Sequence, residues 1–496
     1  MLGKNIFFNL FVTISVGVLA FIVNKVFAQN LGKETLGLMN LMTQLIAYLN
    51  LVDLGIATSA TYALYKPFAE NDYGKINIIY STIDNYFKKV SFFIIIFGIL
   101  IGLFLPYIAH SNNFGFKIYI YWGLYIINTA WSYLNTKYII LLTANQKYGY
   151  TLKVSGIARI LIKILQLFVL IYFQSFILFI LLFNLQNIFN YIFLSRKLKK
   201  EYKWLKKVKE KYEQIKVDMK NMFWHKSAEM IVFNTDYILI SIFTSLKIVA
   251  VYATYILVYN MILTIVNVIL PVITPYIGRF IAKNNISNIF SLWKNLHSFY
   301  VFIAVVVSIV TFYTINSFVY LWMGKEYILD EMTVFLIVVN LYLTISRSMV
   351  ETFKNNMGIY NDIYNPILES LINLISSLIL VKYYGLKGVI LGTIISNLAI
   401  IYISKPLVLF KAFKKTFKDY ILIYFKYTLL TIITIVIIKI FIDNYMNVKL
   451  YALGWSNFIV NLFKITFVTL SISLIVFFID INFRKVIKII FKKVTK

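Results

Sequence analysis

The chain has no cysteine, only six prolines and only three histidines in 496 residues. Without thiols it forms neither disulfides nor thiolate metal sites, and histidines at 110, 225 and 297 are too scattered to make a metal cluster. Charge is scarce too, at 14% of residues, where a soluble protein carries about a quarter. Catalytic signatures are also missing. No Walker loop cradles a nucleotide, which argues against a primary pump, and no Gly-x-Ser-x-Gly or histidine pair activates a nucleophile or metal. The large outer loop expected of a membrane glycosyltransferase is absent, the longest outer loop being about a dozen residues. The residues point to a chain that moves something rather than an enzyme.

What is present is apolar. Hydrophobic residues make up 60% and mean hydropathy is +0.78, arranged as runs of about 20 residues, the length that crosses a bilayer as a helix. The expected fold is an all-α polytopic membrane protein. The first run, residues 6–27, is too long for a signal-peptide core, and Lys25 and Gln29 replace the small residues of a cleavage site, so it reads as a membrane helix.

Fourteen spans are expected, near 6–27, 36–66, 87–108, 118–144, 152–173, 175–195, 223–245, 248–280, 297–322, 331–353, 365–383, 386–404, 420–442 and 455–480. With the N-terminus inside, the inner segments hold 33 Lys+Arg and the outer loops 7. That asymmetry puts both termini in the cytoplasm. The net charge of +29 therefore reads as topology signals beside anionic headgroups and not as a nucleic-acid surface.

The long polar segment 196–220 carries eleven bases and four acids and divides the first twelve spans into six plus six. Apolar residues at spacings of three and four make it either a membrane-surface amphipathic helix or a solvated linker. A shift of about 213 residues overlays the second six spans on the first, mainly by hydropathy and loop length. The expected organisation is a six-helix lobe over 1–195, a basic cytoplasmic linker over 196–222, a second six-helix lobe over 223–410, and two extra spans with a basic tail over 411–496. An even number of spans per copy implies a pseudo-twofold axis along the membrane normal, as in carriers that alternate access to a site between lobes.

A charge at the bilayer centre costs about 3 kcal/mol, so each one that persists is informative. Asp53 sits in span 2 among Asn50, Gly55, Ala57, Thr58 and Ser59, a small and polar surface suited to packing or to a cavity wall. Lys25, Lys137, Arg159 and Lys163 give the first lobe an excess of cations. Arg159 and Lys163 are four apart on one helical face and span 5 supplies no acid, a pattern that suits a polyanion between them. In the second lobe, Glu229 and Asp236 share a face of span 7, and Arg347 and Glu351 are spaced to neutralise each other. Arg279 and His297 are expected at the membrane interface. Asp53, Glu229 and Asp236 are the carboxylates able to take a proton or sodium ion, with a structural role open for each.

Leu31-Gly32, Gly37-Leu38 and Asp53-Leu54-Gly55-Ile56, together with six plus six plus two spans, resemble the polysaccharide-transporter (O-antigen/polysaccharide flippase) branch of the multidrug/oligosaccharidyl-lipid/polysaccharide superfamily. The resemblance implies a V-shaped pair of six-helix lobes around a cationic cavity, in the bacterial inner membrane. It implies turning undecaprenyl-pyrophosphate-linked oligosaccharide from the cytoplasmic to the outer leaflet by ion- or potential-driven alternating access. Lys25, Lys137, Arg159, Lys163 and Arg347 would then meet the pyrophosphate, and Asp53, Glu229, Asp236 and Glu351 would be ion-coupling or structural. No cofactor is implied beyond coupling to H+ or Na+. The implied partners are the lipid-linked oligosaccharide, membrane lipids, and polysaccharide polymerase and glycosyltransferases, with no nucleic acid. Spans 13 and 14 resemble a pair that helps form a lipid-tail groove in peptidoglycan-precursor flippases, but the arginine-rich first span expected of that subgroup is missing. A cation-coupled drug exporter is disfavoured because buried bases repel cations. A non-transporting scaffold would leave the buried charges without purpose.

Overall fold

The computed structural model describes residues 2–50, 56–111, 113–212, 235–268, 270–359, 362, 364–446 and 454–494, and among them there are helices and no strands. The chain divides into two compact units, Met1–Ala250 and Val251–Lys496.

In the first unit the helices are α1 (Leu2–Leu31), α2 (Lys33–Leu49), α3 (Ile56–Glu70), α4 (Tyr73–Ala109), α5 (Lys117–Ala144), α6 (Tyr148–Tyr172) and α7 (Phe176–Glu201). The α1/α2 corner turns on Gly32, whose φ of +84° suits a residue without a Cβ. The carboxylate of Asp72 accepts from the Lys75 N–H at 2.9 Å and starts α4, and left-handed His110 ends it. A helical stretch over 235–243 belongs to this unit, with the Ser241 hydroxyl donating to the Ile108 carbonyl at 2.7 Å.

Helix α8 (Leu246–Asn267) straddles the division. The second unit continues with α9 (Leu270–Lys283), α10 (Ile286–Met323), α11 (Glu331–Ser346), α12 (Ser348–Asn356), α13 (Tyr364–Tyr384), α14 (Leu386–Ser396), a π-helical turn Asn397–Ser404, α15 (Lys405–Ala412), α16 (Phe417–Tyr445), α17 (Trp455–Phe477) and α18 (Ile481–Val494). Its aromatic core gathers Trp293, Tyr300, Phe353, Phe410 and Phe413 around α10. His297, expected at the interface, is buried there, stacked on Trp293 with centroids 4.8 Å apart. Helices α13 and α14 pack through glycine. A Cβ on Gly388 would lie 2.2 Å from the Leu380 carbonyl oxygen, and one on Gly392 2.2 Å from the Ser377 hydroxyl. Such close backbone approach is how helices associate in lipid, where burying apolar area between helices gains little.

Among the described residues eleven helices are long and apolar enough to cross a membrane. They match all but three of the fourteen expected spans. Span 2 is divided into α2 and α3, each shorter than a full crossing; span 4 forms α5, whose many tyrosines and asparagines lower its hydropathy; and most of span 7 lies outside the described residues.

Candidate functional site

The first unit places three expected cations on one helix pair. Val12 of α1 packs on Gly156 of α6, where an added Cβ would meet it at 2.9 Å. Farther along, the Gln174 side-chain amide just past α6 donates to the side-chain Oδ1 of Asn30 on α1 at 3.5 Å. Both pairs are separated by 144 residues, so the helices run parallel and in register. At 1.5 Å of rise per residue, Arg159 and Lys163 are about 6 Å apart along the axis, and Lys25 is about 9 Å beyond Lys163. All three are half-buried, and none has a carboxylate within 4.0 Å among the described residues. The Arg159 Nε–H makes only a long bond, 3.4 Å, to the Ser155 carbonyl one turn back, which leaves most of its guanidinium fork open. The helix pair therefore carries a ladder of bases at three levels that no carboxylate among the described residues answers within 4.0 Å.

Lys137 is differently placed. It projects from α5 onto Asp84 of α4, whose carboxylate also takes Lys88 at 2.9 Å and Lys207 at 2.7 Å. Asp84 is only 2% exposed and all but consumes the Lys137 charge. The sequence reading missed Asp84 because hydropathy placed it in an inner loop. A signal was nevertheless there, since Asn77, Ser81 and Asp84 recur every three or four residues on one helical face.

That face carries the start of the long polar segment. After α7 ends at Glu201, residues 202–212 run as an irregular strap along α4. The backbone N–H groups of Lys206, Val208 and Tyr212 donate to Asn77 Oδ1, Ser81 Oγ and Thr82 Oγ1 at 2.9, 2.8 and 3.0 Å. Both hydroxyls donate in turn to carbonyls within α4, which aims their lone pairs at the strap. Trp204 closes it against Tyr73, ring centroids 4.3 Å apart. This part of the segment is neither an amphipathic helix nor a bare solvated linker.

In the second unit the expected charges form a neutral network. Arg347 reaches Glu369 at 3.9 Å, while Lys405 joins Glu351 at 2.9 Å and Glu369 at 3.3 Å. Glu351 is thus matched by Lys405 and not by Arg347. Beside it, the buried ion pair of Lys354 and Asp362 is braced by Asn365 at 3.0 Å. Sequence spacing shows none of these ion pairs, which join separate helices and the turns between them. Asp236 is buried in the first unit, next to Thr235, which shares a 2.6 Å hydrogen bond with Tyr48. Asp53 and Glu229 lie outside the described residues. No group of metal-ligating side chains occurs among the described residues.

A further feature of the second unit is an apolar cavity of about 430 Å³ between α10, α11 and α16. Phe312, Tyr313, Phe335 and Tyr342 line it, and Glu331, Lys439 and Asp443 add charge to its wall.

None of the curated proteins compared matches by sequence. Among solved structures, the chain is similar to the lipid II flippase MurJ in an inward closed conformation, with a TM-score of 0.70 and 16% identity over 95% of this chain and 98% of that one. It is also similar to an inward-facing multidrug resistance MATE transporter of the MOP superfamily, TM-score 0.59 and 15% identity over 81% of this chain and 96% of that one. A MOP superfamily transporter from Pyrococcus furiosus, described as having a binding pocket of reverse polarity, gives 0.53 and 13% identity over 82% and 95%. These likenesses establish the fold, that of the MOP flippases and transporters. The family model for polysaccharide biosynthesis proteins matches residues 2–281, more than half of the chain, and the protein belongs to that family.

Proposed function

We propose that this protein flips undecaprenyl-pyrophosphate-linked oligosaccharide from the cytoplasmic to the outer leaflet of the bacterial inner membrane, by alternating access coupled to an ion gradient or the membrane potential. The observation that carries the reading is the ladder of Arg159, Lys163 and Lys25. Lys137, Arg347 and Lys405 have acids beside them, whereas among the described residues these three have no carboxylate within 4.0 Å. A pyrophosphate is the headgroup that such a ladder suits, because an arginine fork holds phosphate oxygens in pairs and lysines add point charge. The same cations disfavour the export of lipophilic cations.

A second reading, transport of the peptidoglycan lipid precursor, is favoured by the MurJ likeness, which extends over spans 13 and 14, and by the apolar cavity beside α16. Both substrates are pyrophosphate-linked polyprenyl lipids.

The test is liposome reconstitution with a fluorescent undecaprenyl-pyrophosphate oligosaccharide inside, following its accessibility to an external quencher with and without a proton gradient. Protein-dependent movement, reduced at least tenfold by Arg159→Ala or Lys163→Ala, is expected. Faster movement of the peptidoglycan precursor would favour the second reading. Uptake of a lipophilic cation dye without lipid movement would overturn both.

A further inference from the structure

Two lysines meet at one end of α10, and a third, on α18, lies near enough for its charge to bear on one of them. The turn between α15 and α16 passes through left-handed Lys414, and Thr416 then caps α16 by accepting from the Asp419 N–H. That turn folds Lys415 back over the Phe290 ring, 5.0 Å from its centroid. Lys294, one helical turn beyond Phe290 in α10, sits 4.9 Å from the same centroid, so the two ammonium nitrogens are no more than about 10 Å apart. Lys485 of α18 and Lys426 of α16 add their charge to the surroundings of Lys294.

The nearby acids are already engaged. Asp480 is held by Lys426, by the Ser298 hydroxyl at 2.5 Å and by the Tyr427 hydroxyl at 3.1 Å, while Asp419 closes the α16 capping box. Among the described residues Lys294, Lys415 and Lys485 have no carboxylate within 4.0 Å. Like charges packed this closely repel unless an anion lies between them. One phosphate bridges two ammonium groups about 8 Å apart, from two charge-assisted bonds of about 2.8 Å and the width of the phosphate itself.

We propose that Lys294, Lys415 and Lys485 bind the phosphate of an anionic membrane phospholipid. A lipid, and not a soluble anion, is selected because the patch continues into an apolar stripe: Phe417, Ile421 and Phe425 descend α16 at four-residue spacing, all exposed. Headgroup and acyl chains would thus be held by one surface. Phe290 supports the lysines through its ring face, an interaction that strengthens as water is displaced. This site is separate from the cation ladder and does not depend on the substrate proposed above.

The test uses the full chain purified in a neutral detergent. Thermal unfolding is followed while phosphatidylglycerol, phosphatidylcholine or inorganic phosphate is added, for wild type, for Lys294→Gln/Lys415→Gln and for Lys382→Gln, a control on α13. Phosphatidylglycerol is expected to raise the midpoint in wild type and control, with an apparent affinity at least tenfold weaker in the double variant. An undiminished response in the double variant, an equal response to phosphatidylcholine, or full stabilisation by inorganic phosphate would each overturn the assignment. If the double variant is poorly folded, Lys485→Gln provides the same comparison from α18.

Discussion

Replacing Asp84 by Asn isolates the energetics of the first unit. Asp84 is nearly inaccessible and receives three lysines, of which Lys137 is mostly buried while Lys88 and Lys207 are more than half exposed. The exposed pairs are worth less than about 1 kcal/mol each. Loss of the buried partner is different, because Lys137 keeps its charge with no acid to answer it, and removing one member of a buried pair costs about 3–5 kcal/mol. For a unit of this size that is a fall in unfolding midpoint of about 6–20 °C. The strap should also loosen, since Lys207 loses its anchor, and trypsin should then cut earlier among Lys203, Lys206, Lys207 and Lys209 of the native protein. Asp84→Asn combined with Lys137→Met leaves no buried charge and should recover most of the midpoint, yet not the trypsin resistance. A single variant within about 2 °C of wild type, or a double variant no better than the single, would refute the argument.

Gly388→Ala should lower the yield of folded protein sharply, because its Cβ would lie 2.2 Å from a backbone oxygen of α13. Gly123→Ala, with nothing within 4 Å, should be neutral or stabilising by about 0.5–1 kcal/mol, and detergent-extracted yield compares the two. Stability should also depend on acid through Asp362 and Asp480, which lie between helices. Burial raises both carboxyl pKa values, but bonds from Lys354 and Asn365 to Asp362, and from Lys426 and Ser298 to Asp480, outweigh it and hold each below its ordinary 3.8. A depressed folded-state value stabilises above the ordinary one and is lost as pH falls through the folded one, so the midpoint should be flat near neutrality and decline below about pH 4. Lys354→Met should flatten part of that decline. In the flippase assay, Lys25→Ala should slow movement less than Arg159→Ala, because a lysine gives one point charge where arginine gives a fork, and equal losses would argue against bidentate headgroup binding.

The helices were legible because each crossing is an uninterrupted apolar run, and α6 and α13 follow their expected spans to within a few residues. Their divisions were less so. Span 10 parts at Arg347, between α11 and α12, and span 8 parts just before α9, whose second residue, Pro271, has no N–H with which to continue the ladder from α8. Hydropathy averages over such points. The candidate charges were legible singly, as bases and acids out of place, but their partners were not. Lys137 lies 53 residues from Asp84 and Lys405 lies 54 from Glu351, and nothing in local spacing joins residues that only tertiary packing brings together. The ladder was half visible: Arg159 and Lys163 share a helix, while Lys25 joins them only through the register of α1 on α6.

The glycine seam between α13 and α14 has a mechanical consequence. Two rods in backbone contact at Gly388 and Gly392 cannot slide or splay without opening a gap, so they carry load as one beam. The next stretch of chain, Asn397–Ser404, is wound with an extra residue in each hydrogen-bonded ring, a rare form that interrupts the regular α-helical ladder. Bending in this unit should therefore concentrate at one joint beside one stiff member, and deleting a single residue within 397–404, enough to rewind it as α-helix, should leave the beam intact while slowing whatever movement the joint permits.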